Sequence, residues 1–377
     1  MSSASEATEA QSQQGLVNAI LGVVAVPVLA IFTALVVSSF AMLIAGTNPI
    51  RAYLALWEGA LGSQQAIIET LIKATPFILA GLGLALAFRG GLFNIGMEGQ
   101  LFVGSIVAVL IGYSFELPGI IHIPLALLGG TLGGALWAAG PGYLKARTGA
   151  HEVITTIMAN FIALRIINWA VGPDGPMRAA DSVIPETPPV FPSARLPLLI
   201  PDTRLHSGIL IALAAAAVIY WLLWRTIVGF EIRTVGINPS AARYAGISVE
   251  RNIVLTMVLS GALGGLAGGI QVMGLEPYTF TTGFNVGYGF DSIAVAMLGG
   301  LHPLGVTISA ILFGAMDSGA RLMQLRTKVP IDVVTIVQGL ILMFVAADQI
   351  IRGIYRIRAR AEAGPINLGQ FWGGGTD

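Results

Sequence analysis

From Ala10 to Ile50 the chain carries no charged side chain. A helix that crosses a bilayer takes roughly 20 consecutive apolar residues, and this stretch exceeds that requirement. A second run begins at Ser292 and meets only His302 before Asp317. Of the 377 residues, 55% are hydrophobic and 11% charged, with net charge zero, whereas a soluble domain is about a quarter charged. These features exclude a soluble fold, a disordered chain and a nucleic-acid binder. Only helices and closed barrels satisfy their backbone in hydrocarbon, and long runs without alternation favour helices. The expected fold is an all-α integral membrane protein with about ten transmembrane helices, embedded in the lipid bilayer.

The expected spans are Val17–Ala45, Ala66–Phe88, Gly99–Phe115, Ile123–Tyr143, Val153–Val171, Ser207–Trp224, Asn252–Gly274, Ser292–Leu301, Gly305–Ala320 and Val333–Ala347. His302-Pro303 cuts the eighth short, so it reads as a half-helix. Residues 1–15 form an acidic, Ser-rich leader, expected to be disordered. Residues 16–351 form one transmembrane domain, and residues 352–377 a tail. Basic residues in short loops mark the cytoplasmic side. Lys145 and Arg147, the cluster Arg225, Arg233, Arg243 and Arg251, and the cluster Arg352, Arg356, Arg358 and Arg360 agree on ten crossings with both termini cytoplasmic. Arg321, Arg326 and Lys328 vote the other way.

Several chemistries are closed to this chain. It has no cysteine, and its four histidines have no second histidine at metal-ligand spacing, so neither metal nor cofactor is expected. Its three lysines follow Ile72, Leu144 and Thr327, and a P-loop requires glycine there. ATP-driven work would need a partner subunit. No clustered acid, base or nucleophile suggests an enzyme.

Gly91-Leu92-Phe93-Asn94-Ile95-Gly96 is echoed by Gly283-Phe284-Asn285-Val286-Gly287, and each copy precedes an acid, Glu98 or Asp291. With opposite starting sides, the copies suggest an inverted repeat with halves near 66–171 and 251–351, whose broken helices line a route near the midplane. Phe93, Asn94, Glu98, Phe284, Asn285, Tyr288 and Asp291 are the candidate route residues. Glu98 and Asp291 suit equally a capping role, since a carboxylate is favoured at a helix start. Glu69 and Lys73, like Asp317 and Arg321, stand i,i+4 and are expected to pair on their own helices. The Gly129/Gly133, Gly130/Gly134 and Gly261/Gly265/Gly269 stripes are expected to let helix backbones approach closely.

In the segment 225–250, Asn238 can cap a short helix with Pro239 in its first position, and Gly246 can end it. Such a stub, bearing Ala241, Ala242, Arg243, Tyr244 and Ala245, would stand in the cytoplasm between two spans.

The run Gly90-Gly91-Leu92-Phe93-Asn94-Ile95-Gly96-Met97-Glu98-Gly99-Gln100 resembles the signature of permease subunits of bacterial ABC importers in the branched-chain-amino-acid/ribose superfamily. His151-Glu152-Val153-Ile154, Gly229-Phe230-Glu231-Ile232-Arg233, Ala241-Ala242-Arg243-Tyr244-Ala245-Gly246 and Gly287-Tyr288-Gly289-Phe290-Asp291 add a likeness to nucleoside permeases served by a basic-membrane-lipoprotein-type binding protein. The resemblance runs in order from about Asn48 to Asp348. It implies a second permease subunit, two cytoplasmic ABC ATPase subunits and an extracytoplasmic substrate-binding lipoprotein in a bacterial cytoplasmic membrane. It also implies that Asn238, Pro239 and Ala241–Gly246 form the coupling helix seated in an ATPase groove. Ribose, other simple sugars and amino acids remain alternative cargoes, and an ion-coupled transporter an alternative class.

Overall fold

The computed structural model describes residues 25–355, apart from 26, 41, 45, 181, 282–286, 348–350 and 352–353. The leader, most of the tail, Phe284 and Asn285 therefore lie outside the described residues. Among the described residues, eight helices are long and apolar enough to cross a membrane: α1 (Pro27–Ile44), α3 (Gln64–Arg89), α4 (Met97–Ser114), α5 (Gly119–Thr148), α6 (Glu152–Ala170), α7 (Gly208–Arg225), α10 (Val249–Gly274) and α12 (Pro303–Thr327). Two shorter apolar helices, α11 (Tyr288–Leu298) and α13 (Asp332–Ala346), complete the ten segments expected from the sequence. The 11 residues of α11 reach about 17 Å, well short of the ~30 Å hydrocarbon core. It is a half-helix. Three further helices, α2 (Pro49–Leu61), α8 (Ile227–Ile237) and α9 (Pro239–Tyr244), were not separated out by the hydropathy pattern.

Helix α3 is the axis of the bundle. Its most apolar window is 89% buried, against 33% for α5, α6 and α7. The outer helices turn residues such as Phe32, Leu136, Phe161, Trp169 and Trp221 outward, as lipid-facing surfaces require. Between helices, small residues set the distances, because apolar side chains gain little by leaving lipid for protein. Gly130 and Gly134 of α5 meet Gly261 and Gly265 of α10, and a Cβ on Gly134 would stand 2.6 Å from the Gly265 nitrogen. Gly314 of α12 lies against α3, where a Cβ would stand 2.7 Å from the Thr70 carbonyl oxygen.

The contacts have a pairing. Helix α3 packs on α12 and α11, while α10 packs on α5 and α4. Exchanging α3, α4, α5 and α6 with α10, α11, α12 and α13 maps these contacts onto one another, together with α4–α5 onto α11–α12 and α4–α6 onto α11–α13.

The two ends of the bundle differ. At one end, the chain between α6 and α7 is stitched to the last turn of α10 and the segment after it: Thr187 N donates to the Phe280 carbonyl at 3.0 Å, Val190 N to Tyr278 at 2.9 Å and Leu196 N to Met273 at 2.9 Å. At the opposite end, Arg89 donates to the carbonyls of Leu301 and Gly300 at 3.2 and 3.3 Å. Helices α8 and α9 lie at this second end.

Candidate functional site

The turn between α3 and α4 is built to hold a bend in the interior of the bundle. Gly91 adopts φ +73°, a left-handed conformation that an L side chain strains to reach. Asn94, fully buried, donates through Nδ2 to Gln100 Oε1 at 3.0 Å and Ser260 Oγ at 2.9 Å. Its Oδ1 accepts from Gly96 N and from Gln100 Nε2, both at 3.0 Å. Asn160 of α6 clamps the same turn, donating to the Ile95 carbonyl and accepting from Gly99 N, each at 2.8 Å. Asn94 is thus a satisfied brace from the turn to α4 and α10. Phe93 rests its ring on Phe88 at 4.9 Å.

Glu98 makes the connection between the two broken elements. It sits in the first turn of α4, 4% exposed. Its carboxylate accepts from Gly287 N at 2.7 Å and Gly289 N at 2.6 Å. It therefore caps α11 rather than only its own helix. The free N–H groups at the start of a helix carry a partial positive charge; here one carboxylate serves two such starts. Tyr288 lies between the two held amides. Asp291, half-buried, is in the first turn of α11.

From that position Tyr288 reaches a polar cavity of about 560 Å³. Its hydroxyl accepts from Lys73 Nζ at 3.3 Å, and its ring meets the Phe77 ring edge-on at 4.9 Å. The cavity is also lined by Glu69, Arg204, Gln271, Asp317 and Arg321. The expected i,i+4 pairs give way to longer-range partners. Glu69 pairs with Arg204 at 3.3 Å, and Asp317 accepts from Gln338 at 3.0 Å. The stitched segment between α6 and α7 brings Arg204 to Glu69 of α3, and Tyr288 holds Lys73. Beside the cavity, burial and the charge of Arg204 push His206 down to about 4, so its ring is neutral at neutral pH.

Of the seven expected route residues, Tyr288 alone lines this cavity among the described residues. Glu98 holds the amides that flank Tyr288, and Asn94 braces the turn that leads into Glu98. Gln100, Asn160, Ser260, Arg204 and Gln271 were not singled out by the sequence. A polar residue in an uncharged run of a span is the signal that marks Gln271; Asn160 shares its span with Arg165, and nothing local marks Arg204.

At the other end, α9 has the expected construction. Asn238 Oδ1 accepts from Ala241 N at 3.0 Å, Pro239 opens the helix, and Gly246 leaves it at φ +81°. Ala242 faces inward and packs with Val235 and Val249 in a small separate core. Tyr244 and Ile237 face outward, 95% and 81% exposed. Behind the stub, the last turn of α8 presses on the α3–α4 turn: a Cβ on Gly236 would stand 2.8 Å from Gly91 N.

Ten apolar segments, a half-helix capped from across the bundle and a polar cavity at one end define a multi-pass membrane transport component. The chain belongs to the family described as branched-chain amino acid transport system / permease component, whose model matches residues 66–346. It is 43% identical over 332 residues to the guanosine ABC transporter permease protein NupP of Bacillus subtilis (strain 168), covering 87% of this chain and 94% of that one. It is 36% identical to the nucleoside ABC transporter permease protein NupB of Lactococcus lactis subsp. cremoris (strain MG1363), covering 87% and 92%. It is 32% identical to the glucose ABC transporter permease protein TsgB13 of Haloferax volcanii, covering 88% and 89%. No solved structure gives a significant match.

Proposed function

We propose that this chain is the permease subunit of an ATP-driven importer of nucleosides. It works in a bacterial cytoplasmic membrane with a second permease subunit, cytoplasmic ATPase subunits and an extracytoplasmic substrate-binding lipoprotein. The observation that carries the substrate class is the 43% identity to a guanosine permease across 87% of the chain. In this reading both termini are cytoplasmic, α9 is the coupling helix and the cavity faces outside. The halves 66–171 and 251–351 form an inverted repeat, a proposal supported by the exchange symmetry of the helix contacts.

The two ends are joined by a short chain of contacts. An ATPase that moves α9 moves Gly236, which bears on Gly90 and Gly91. That turn carries Asn94 and leads into Glu98, which holds the amides on both sides of Tyr288. Tyr288 in turn holds Lys73 in the cavity. Cytoplasmic motion can thus reshape the external cavity through backbone contacts and three hydrogen bonds.

The test is uptake by the complete complex in proteoliposomes. Guanosine should accumulate only with ATP and the binding lipoprotein, and collapse of ion gradients should leave the rate unchanged. A complex that moves a hexose and no nucleoside would select the sugar reading, which the 32% identity to a glucose permease favours.

A further inference from the structure

One polar group in the external cavity is left without a partner. Gln271, near the end of α10, lines the cavity and is 2% exposed. Its carboxamide Nε2 has no hydrogen-bond partner. Its charged neighbours Glu69, Lys73 and Asp317 are engaged, with Arg204, Tyr288 and Gln338. An unpaired buried amide is unfavourable, a penalty that a ligand can remove by pairing with it. The cavity, about 560 Å³, is of a size that commonly holds small molecules, about 300–1,000 Å³.

A carboxamide presents one donor and one acceptor in a plane, which matches the hydrogen-bonding edge of a purine. Tyr288 supplies an aromatic surface in the same cavity, and bases stack on such rings without regard to their identity. We propose that Gln271 reads the base of a nucleoside held in this cavity, between its release from the binding lipoprotein and its passage through the permease. The proposal rests on the nucleoside reading and adds a base-reading residue inside the permease itself. Lys73 and Arg204 stand at the cavity wall, where they can meet the ribose hydroxyls or the base carbonyl as donors.

Substituting Gln271 with Glu separates reading from scaffolding. A carboxylate accepts from both N1–H and N2–H₂ of guanine, but it has no donor for a ring nitrogen of adenine. In the complete complex, with the binding lipoprotein saturated by each nucleoside, Gln271→Glu should raise the guanosine-to-adenosine uptake ratio about tenfold, the worth of one discriminating pair. Gln271→Leu should lower uptake of both by a similar factor, with unchanged membrane abundance and thermal stability, since it removes an unpaired amide without altering volume greatly. If the wild-type complex moves nucleosides and Gln271→Glu leaves the ratio within about twofold, the assignment of Gln271 is overturned. Loss of thermal stability in Gln271→Leu overturns it too, because the amide would then be structural. A wild-type complex that moves no nucleoside defeats the nucleoside reading first, and this proposal with it.

Discussion

Asn94 shows how much a single amide can hold in a bilayer. All its donors and acceptors end on Gln100, Ser260 and Gly96, and no water is near in hydrocarbon to replace them. Asn94→Ala strands several buried polar groups at about 1–3 kcal/mol each. The variant should unfold at a clearly lower temperature in detergent, and reconstitution should show transport falling with it. Full stability with lost transport would instead make Asn94 a route-lining residue. Glu98 carries a similar load across a longer span of sequence. Glu98→Gln keeps the volume but offers one acceptor oxygen where the carboxylate offers two, so one of the Gly287 and Gly289 amides loses its partner. A charge-assisted hydrogen bond is worth about 1.5–3 kcal/mol. The expected outcome is faster hydrogen exchange confined to the start of α11, with α4 unchanged; uniform protection along both helices would show that packing, and not the carboxylate, sets α11 in place.

The helices that cross the membrane were legible because charge is costly there, so uncharged runs mark them without reference to any partner. Two of the short elements, α2 and α8, were not. Helix α2 is capped by Asn48, whose Oδ1 accepts from Ile50 N at 2.9 Å, yet Arg51 and Glu58 on it made the segment read as a connection. The partner relations also escaped, because Glu98 and Gly289 are 191 residues apart and no local spacing reports that distance. Local chemistry did specify α9, since its cap, first-turn proline and terminal glycine are contiguous. Its faces could not be read from the sequence. Ala242 lies against Val235 and Val249, so Ala242→Arg overpacks the stub itself, at about 1–3 kcal/mol, and should expose it to proteolysis. Tyr244 projects outward. Tyr244→Glu should leave thermal stability unchanged while lowering ATP-driven transport several-fold, and equal transport by this variant and wild type would remove α9 from the ATPase contact.

At the scale of the molecule, the arrangement of the ends decides the direction of transport, and basic loops are what assign them. The segment between α6 and α7 stands at the cavity end, whereas α8 and α9 stand at the other. Positive-inside asymmetry supports the proposed placement of α8 and α9 in the cytoplasm through Arg225, Arg233, Arg243 and Arg251, a placement in which the cavity would open outward. Arg321 and Arg326 oppose that assignment by count, yet Arg326 is paired with Glu58 on α2 and Arg321 lines the cavity. Basic residues with such local tasks need not report orientation. The chain has no native cysteine, so single cysteines can test this directly. Val183, 95% exposed, lies in the segment between α6 and α7, and Ile237, 81% exposed, lies beside the stub. In intact cells an impermeant maleimide should label Val183→Cys and leave Ile237→Cys unlabelled until the membrane is opened. The reverse pattern would turn the molecule over, placing the cavity inside and the stub where no ATPase can reach it, and would end the importer mechanism built on them.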